Sequence, residues 1–338
     1  MSKKIGHSVL ATILLATVSF SPFPLSAQDW LPKAQEEKKV VLYHTTNVPD
    51  TQKILEGFRK RYPLLEVETY RATGEKLFQK IITEVRAGRN LADVYIISWF
   101  QAWLLKDGGY LAAYRSSERE RVNSALRDRD GFWTGIYWNL ESLTYNTKLV
   151  SPKDVPRRWD ELLNPRWKGS IGLEEEDINW YAFLLHLMGE EKGKDFMRKV
   201  AAQKPLIRRG HTLLAQLIAA GEFALAPTIR VHLAETLKSQ GAPVEWHAIE
   251  PIAPNPPVSV TLPKNAPHPH AARVFIDFIL SREGQEILRL LHRNPSRTDV
   301  EQPVPRAAKV KLLEMDWEKI AKNYGRYAKE FREIFAIH

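Results

Sequence analysis

Residues 40–98 constrain the fold more than any other stretch. Val40-Val41-Leu42-Tyr43 is a short apolar run of the kind found in buried parallel strands. Glu66–Tyr70 alternates, and Ala92–Ile97 is apolar again, so both read as strands. Two amphipathic stretches separate the three. The first opens at Pro49-Asp50-Thr51, with Asp50 or Thr51 as its cap, carries Ile54 and Phe58 on one face and stops at Pro63. The second runs from about Glu75 to Ala87, with Leu77, Ile81, Ile82 and Val85 on one side and Gly88 at its end. Strand–helix–strand–helix–strand implies a parallel sheet wrapped by helices.

The pattern changes near Gly131. Gly135–Asn139 and Ser142–Asn146 read as paired strands that leave the first lobe. A second α/β region follows: a strand at 171–173, helices over 179–188, 193–202 and 212–220, a strand at 224–226 and a helix over 231–240. Val258–Leu262 alternates as a return strand, and 269–280 is a helix. The charged, helical last ~30 residues are expected to wrap the outside. The expected fold is therefore α/β and two-lobed, with two mixed sheets flanked by helices. Residues 38–136 and 259–338, tail included, form the N-lobe; 137–258 form the C-lobe. Two crossings make a hinge, and ligands of such sheets bind at the carboxyl ends of strands, here in the cleft between lobes.

The N-terminus reads as a cleaved export signal over 1–27. Lys3 and Lys4 precede an apolar run to Phe20, Pro22 and Pro24 follow, and Leu25-Ser26-Ala27 ends on a small residue. That places the mature protein in the periplasm. The chain has no cysteine, which excludes a thiol-linked lipid anchor, disulfides, thiolate metal sites and thiol catalysis. With 49 Lys+Arg against 40 Asp+Glu the net charge is +9. The basic residues are scattered and no nucleic-acid motif accompanies them, so a solvated basic surface is expected, without nucleic acid as partner. Gly-x-Ser-x-Gly, His-Glu-x-x-His, phosphate-loop and dinucleotide motifs are all absent, and nothing points to an enzyme or a cofactor.

Four stretches carry a resemblance that spans most of residues 40–300. They are VVLYHTTN with RYP and ADVYIIS; SLTYNTKLV with VPRRWDELLNPRWKGSIGL; LIAAGEFALA; and NAPHPHAARVFIDFILSREGQEIL. Together they resemble the bacterial extracellular solute-binding proteins of the iron(III)/thiamine/phosphonate type, which have a type II periplasmic-binding-protein fold. The resemblance implies a monomer that captures a small solute and delivers it to a membrane permease driven by an ATPase. Ferric-binding members use neighbouring tyrosines in the strand-to-helix passage after the Gly-Glu segment. Here that passage is Ala226–His232, with Arg230 and His232 and no tyrosine pair. A fixed cation favours a carboxylate, phosphate or phosphonate, or an anionic chelate, over a bare metal ion. No metal ligands are assigned.

The expected ligand contacts follow from position. His44, Thr45 and Thr46 leave the first strand, and Ser98 and Trp99 end the third. Trp99 either stacks on the ligand or closes the core. Asp177, Trp180 and Tyr181 lie at a helix start, where free N–H groups favour anions; Asp177 or Asn179 is its cap. Adjacent helix positions diverge by about 100°, so one of Trp180 and Tyr181 is expected to leave the core. Arg208 and the capping Thr212 flank another helix start, and Arg230 a third. His268-Pro269-His270 reads as a loop leading into a helix. A ferric carrier with other ligands, a ligand-binding sensory protein and a periplasmic hydrolase stay open as alternatives.

Overall fold

The computed structural model describes residues 26–252, 256–311, 313 and 315–337. The export-signal reading falls, up to residue 25, outside the described residues. The chain runs α1 (Ala27–Glu37), β1 (Lys39–His44), α2 (Val48–Arg61), β2 (Glu66–Arg71), α3 (Gly74–Arg86), β3 (Val94–Ser98), α4 (Trp99–Asp107) and a short β4 (Leu111–Ala112). After β5 (Trp133–Trp138) and β6 (Glu141–Asn146) come β7 (Gly172–Glu174), α5 (Ile178–Met188), α6 (Glu190–Ala202), β8 (Leu206–Arg208), α7 (His211–Ala220), β9 (Leu225–Arg230), α8 (Val231–Ser239) and β10 (Val244–His247). The chain ends β11 (Val258–Pro263), α9 (Pro269–Leu280), α10 (Arg282–Leu290), β12 (Asn294–Pro295) and α11 (Trp317–Phe335).

The first sheet has the order β12-β5-β11-β3-β1-β2, with β4 also on β11. β1 pairs in parallel with β2 and β3, as the strand–helix alternation requires, and β11 returns antiparallel to β3 and β5. Successive strand residues point to opposite faces. Val40, Leu42, Val94 and Ile96 thus pack toward α1, α2 and α9, while Tyr43, Tyr95 and Ile97 pack toward α3 and α4. The second lobe has β10-β6-β9 and a parallel β7-β8 pair, tied together by an Ile171–Leu225 bridge. The cap of α2 is Asn47, whose side chain accepts the Asp50 N–H; the expected Asp50 or Thr51 lies inside the first turn, after Pro49.

β5 and β6 do not pair with each other, contrary to the sequence reading. β5 joins β11 and β12, and β6 joins β9 and β10. Only the buried Asn139 and Leu140 separate the two strands, and leucine does not suit the left-handed geometry of a two-residue hairpin. The chain therefore crosses straight from one sheet to the other.

The tail also departs from expectation. α11 packs on α5 and α6 of the second lobe, although residues 259–338 read as first-lobe structure. Ile320, Tyr327, Phe331 and Phe335 enter the same core as Leu173, Ile178 and Phe183. The Tyr181 hydroxyl donates to Glu330 at 2.8 Å, and Arg326 pairs with Glu190 at 2.6 Å. This is why Trp180 and Tyr181 are both buried: α5 is covered on both sides, so its divergent faces each find apolar partners. The other side of α11 reaches the first lobe, where Tyr324 stacks on Phe100 at 4.1 Å and Trp317 lies 6.5 Å from Trp99.

On the first lobe, the Trp30 indole donates to the Tyr114 hydroxyl, which donates to both oxygens of the buried Asp277 at 2.8 and 3.0 Å. Burial pushes the Asp277 carboxyl up to about 7. A raised carboxyl binds its proton more tightly folded than unfolded, so its contribution to stability is full below about 3.8 and is lost as pH rises through 7. Asp277→Asn is expected to gain stability relative to the parent between pH 5 and 8, as melting temperatures against pH would reveal; a constant difference would contradict a protonated Asp277.

Candidate functional site

Three helix N-termini, those of α5, α7 and α8, follow the carboxyl ends of β7, β8 and β9. Unpaired N–H groups make each a region of partial positive charge. Buried side chains tie them together. Glu174, at the end of β7, accepts the Gly210 N–H at 2.9 Å and the Glu176 N–H at 2.7 Å. Asp177 accepts the Thr228 hydroxyl at 2.5 Å, and His211 Nε2 lies 3.5 Å from its other oxygen. Glu141, at the start of β6, joins Asp177 and His211 in a set whose ligand-type atoms all lie within 4.8 Å of one another. Arg230 stands opposite Glu141 on the paired strand β9, and its Nε is buried without a hydrogen-bond partner.

Burial sets the charge of this cluster. It pushes the Asp177 carboxyl well up, helped by Glu141 and Glu174, and raises Glu174. It pushes His211 well down, helped by the positive Arg230, and His232 likewise, helped by Arg293 and Arg230. The imidazoles are thus neutral at pH 7, while a guanidinium stays charged in any protein setting.

The opposing wall is the carboxyl edge of the first sheet. His44 is buried, with Nδ1 3.2 Å from the Thr46 carbonyl and 3.3 Å from the Thr51 hydroxyl. The Thr46 hydroxyl meets the Tyr137 hydroxyl at 3.3 Å, and Arg71 Nε donates to the Thr46 carbonyl. Thr45 is half-buried and donates its N–H to Ile96. Ser98 forms a capping box with Gln101 at the start of α4, and Trp99 meets Trp133 edge-on at 6.3 Å. Burial raises the Glu176 carboxyl, with smaller contributions from Glu175 and from Glu75 of α3. At the hinge, the buried Arg293 donates to Asp50 at 2.6 and 2.8 Å and to Asn139 at 3.3 Å, and lies over the Tyr137 ring.

Several expected contacts are corrected by this geometry. Arg208 pairs with Glu222 at 2.5 Å and donates to the Ile207 carbonyl, so its charge is already partnered. Thr212 is exposed on α7 and is not its cap, because Gly210 at φ 93° takes that position. Tyr181 is buried against α11 with its hydroxyl taken by Glu330, and Trp180 is buried beside Trp159. Asp177 stands at the α5 cap position, but its side chain makes no cap bond and turns to Thr228. Asp177 and Arg230 do come together. Glu141 and Thr228 were not singled out in the sequence, because only tertiary packing brings residues of β6 and β9 to the start of α5. Glu141 could have been flagged as an acid at a strand start beside Arg230. The no-metal expectation also meets a carboxylate–carboxylate–imidazole set of hard and borderline donors.

His44 supplies a pH-dependent check. Burial pushes it down to about 4 from 6.5. Its stabilising contribution is therefore complete above pH 6.5 and is lost as pH falls through 4, by roughly 3 kcal/mol at 1.36 kcal/mol per unit. His44→Gln is expected to flatten the acid limb of stability; an unchanged limb would mean that His44 is protonated in the fold.

Two lobes joined by short crossings, with both strand-end edges turned to a shared cleft, define a type II periplasmic-binding-protein fold. The model of the bacterial extracellular solute-binding protein family matches residues 90–323, and the chain belongs to that family. It is 25% identical over 241 residues to iron uptake protein A2 of Synechocystis sp., covering 65% of this chain and 68% of that one. It resembles iron-bound HitA from Pseudomonas aeruginosa with a TM-score of 0.77 and 22% identity, covering 88% and 99% of the two chains. AfuA from Actinobacillus pleuropneumoniae, solved with fructose-6-phosphate bound, superposes with a TM-score of 0.79 and 22% identity, covering 89% and 99%.

Proposed function

We propose that this protein is the periplasmic receptor of an ABC importer and that its solute is a small, hydroxyl-bearing anion. The observation that carries the ligand class is Arg230, a cation with a buried, unpartnered Nε at the convergence of three helix N-termini. A phosphate or carboxylate oxygen satisfies that donor and the helix-end charge at once. Neighbouring oxygens of Glu141 and Asp177 suit ligand hydroxyls, which donate as well as accept. The fructose-6-phosphate bound to AfuA belongs to this class. Ligand binding draws the lobes together, and the closed form docks on a permease whose ATPase drives import. No step of catalysis is assigned.

A second reading has an observation of its own. Glu141, Asp177 and His211 could together hold ferric ion as cargo, and the HitA structure is iron-bound. Thermal melting separates the two. At 100 times Kd a ligand adds about 2.7 kcal/mol, which raises the melting temperature by roughly 5–10 °C. Such a rise is expected with sugar phosphates or hydroxycarboxylates. A rise with ferric salt alone, and with no anion, would favour the metal cargo.

A further inference from the structure

Behind the Glu141 end of the cleft lies a pocket that shares only Glu141 with the network above. Its walls combine the apolar Leu143, Phe183, Ile249 and Ile252 with the polar Glu141, Ser142 and Asn179, and it has room for one water-sized group. Trp159 and Trp180 line it together, their rings 5.9 Å apart. Trp159 is 9% exposed and Trp180 3%. The indole Nε1 of each is buried with no hydrogen-bond partner. A buried donor left unmade costs about 1–3 kcal/mol, so two on neighbouring rings that line one small pocket are expensive unless something accepts from them. Phenylalanine at these positions would fill the core without that cost. An indole N–H only donates, so the missing group is an acceptor.

The pocket shares a wall with the anion site. Glu141 lines it, belongs to the Asp177–His211 cluster and faces Arg230 across the β6–β9 pair. We propose that the pocket is a second subsite of the cleft, in which the indole N–H groups of Trp159 and Trp180 hold a carbonyl or carboxylate oxygen of the ligand whose anionic end Arg230 binds. This deepens, and rests on, the anionic reading above. It narrows the ligand to a short organic anion with a second oxygen acceptor a few bonds from its phosphate or carboxylate.

The test uses the full chain labelled with 15N-tryptophan. The two indole signals are assigned from Trp159→Phe and Trp180→Phe. The probes are 3-phosphoglycerate and glycerol 3-phosphate, which differ in the terminal acceptor. Both are expected to bind in calorimetry, with 3-phosphoglycerate about 10-fold tighter, as one added charged hydrogen bond implies. It alone should move both indole signals downfield, and Trp180→Phe should erase most of its advantage while sparing glycerol 3-phosphate. If both probes bind equally and the indole signals stay put, or if the indoles keep contact with a trapped water when ligand is bound, the pocket is a water site. The proposal then falls and the anionic reading stands. If neither probe binds but ferric nitrilotriacetate does, both fall together.

Discussion

A chain ending at residue 316 is expected to lose the cooperative fold of its second lobe. α11 buries Ile320, Tyr327, Phe331 and Phe335 against α5 and α6. At about 1.5–3 kcal/mol per fully buried large side chain, the loss is roughly 6–12 kcal/mol, comparable to the whole stability of about 5–15 kcal/mol for a folded domain. The truncation also exposes Tyr181, whose hydroxyl loses Glu330. Calorimetric melting should lack the transition of the intact protein, and a hydrophobic dye should bind at 25 °C. Phe331→Ala alone should cost about 3–5 kcal/mol. A truncated chain that melts within a few degrees of the parent would make α11 an outer wrapping, as the sequence alone suggests.

Arg230→Ala is expected to weaken ligand binding about 10- to 100-fold. A charged hydrogen bond is worth about 1.5–3 kcal/mol, and 1.4 kcal/mol is tenfold in affinity. Arg230→Lys keeps the charge but loses the planar fork, so it should fall between the two. Arg208→Ala is the informative companion. Arg208 is committed to Glu222, so its removal should change affinity less than about threefold. Equal losses from the two variants would mean that a general positive potential, not a placed guanidinium, attracts the ligand.

The backbone plan was largely legible, because period-2 runs and amphipathic helices between Val40 and Ile97 permit few packings. What failed were assignments that only tertiary context decides. Glu141–Asn146 alternates equally well in either sheet, so its pairing with β9 instead of β5 could not be read locally. Trp180 and Tyr181 looked incompatible with one core because α11, over a hundred residues later, supplies the second one. At the site, Asp177 could be marked as a helix start from its capping pattern, and Arg230 from its place in the strand-to-helix passage that the resemblance singles out; the structure sets both beside Glu141 and His211. Which arginine is neutralised could not be marked, since Glu222 is sequence-distant from Arg208. Nor could the Glu141–Asp177–His211 set, whose members lie on β6, at the start of α5 and on α7.

The most direct measurement is calorimetric titration of the protein and Arg230→Ala with fructose 6-phosphate, 3-phosphoglycerate, citrate and ferric nitrilotriacetate. At least one of the three organic anions should bind the parent protein without iron and lose about 10- to 100-fold in affinity with Arg230→Ala. Binding of ferric ion alone, undiminished in Arg230→Ala and abolished by His211→Ala, would contradict a cleft built for an anion.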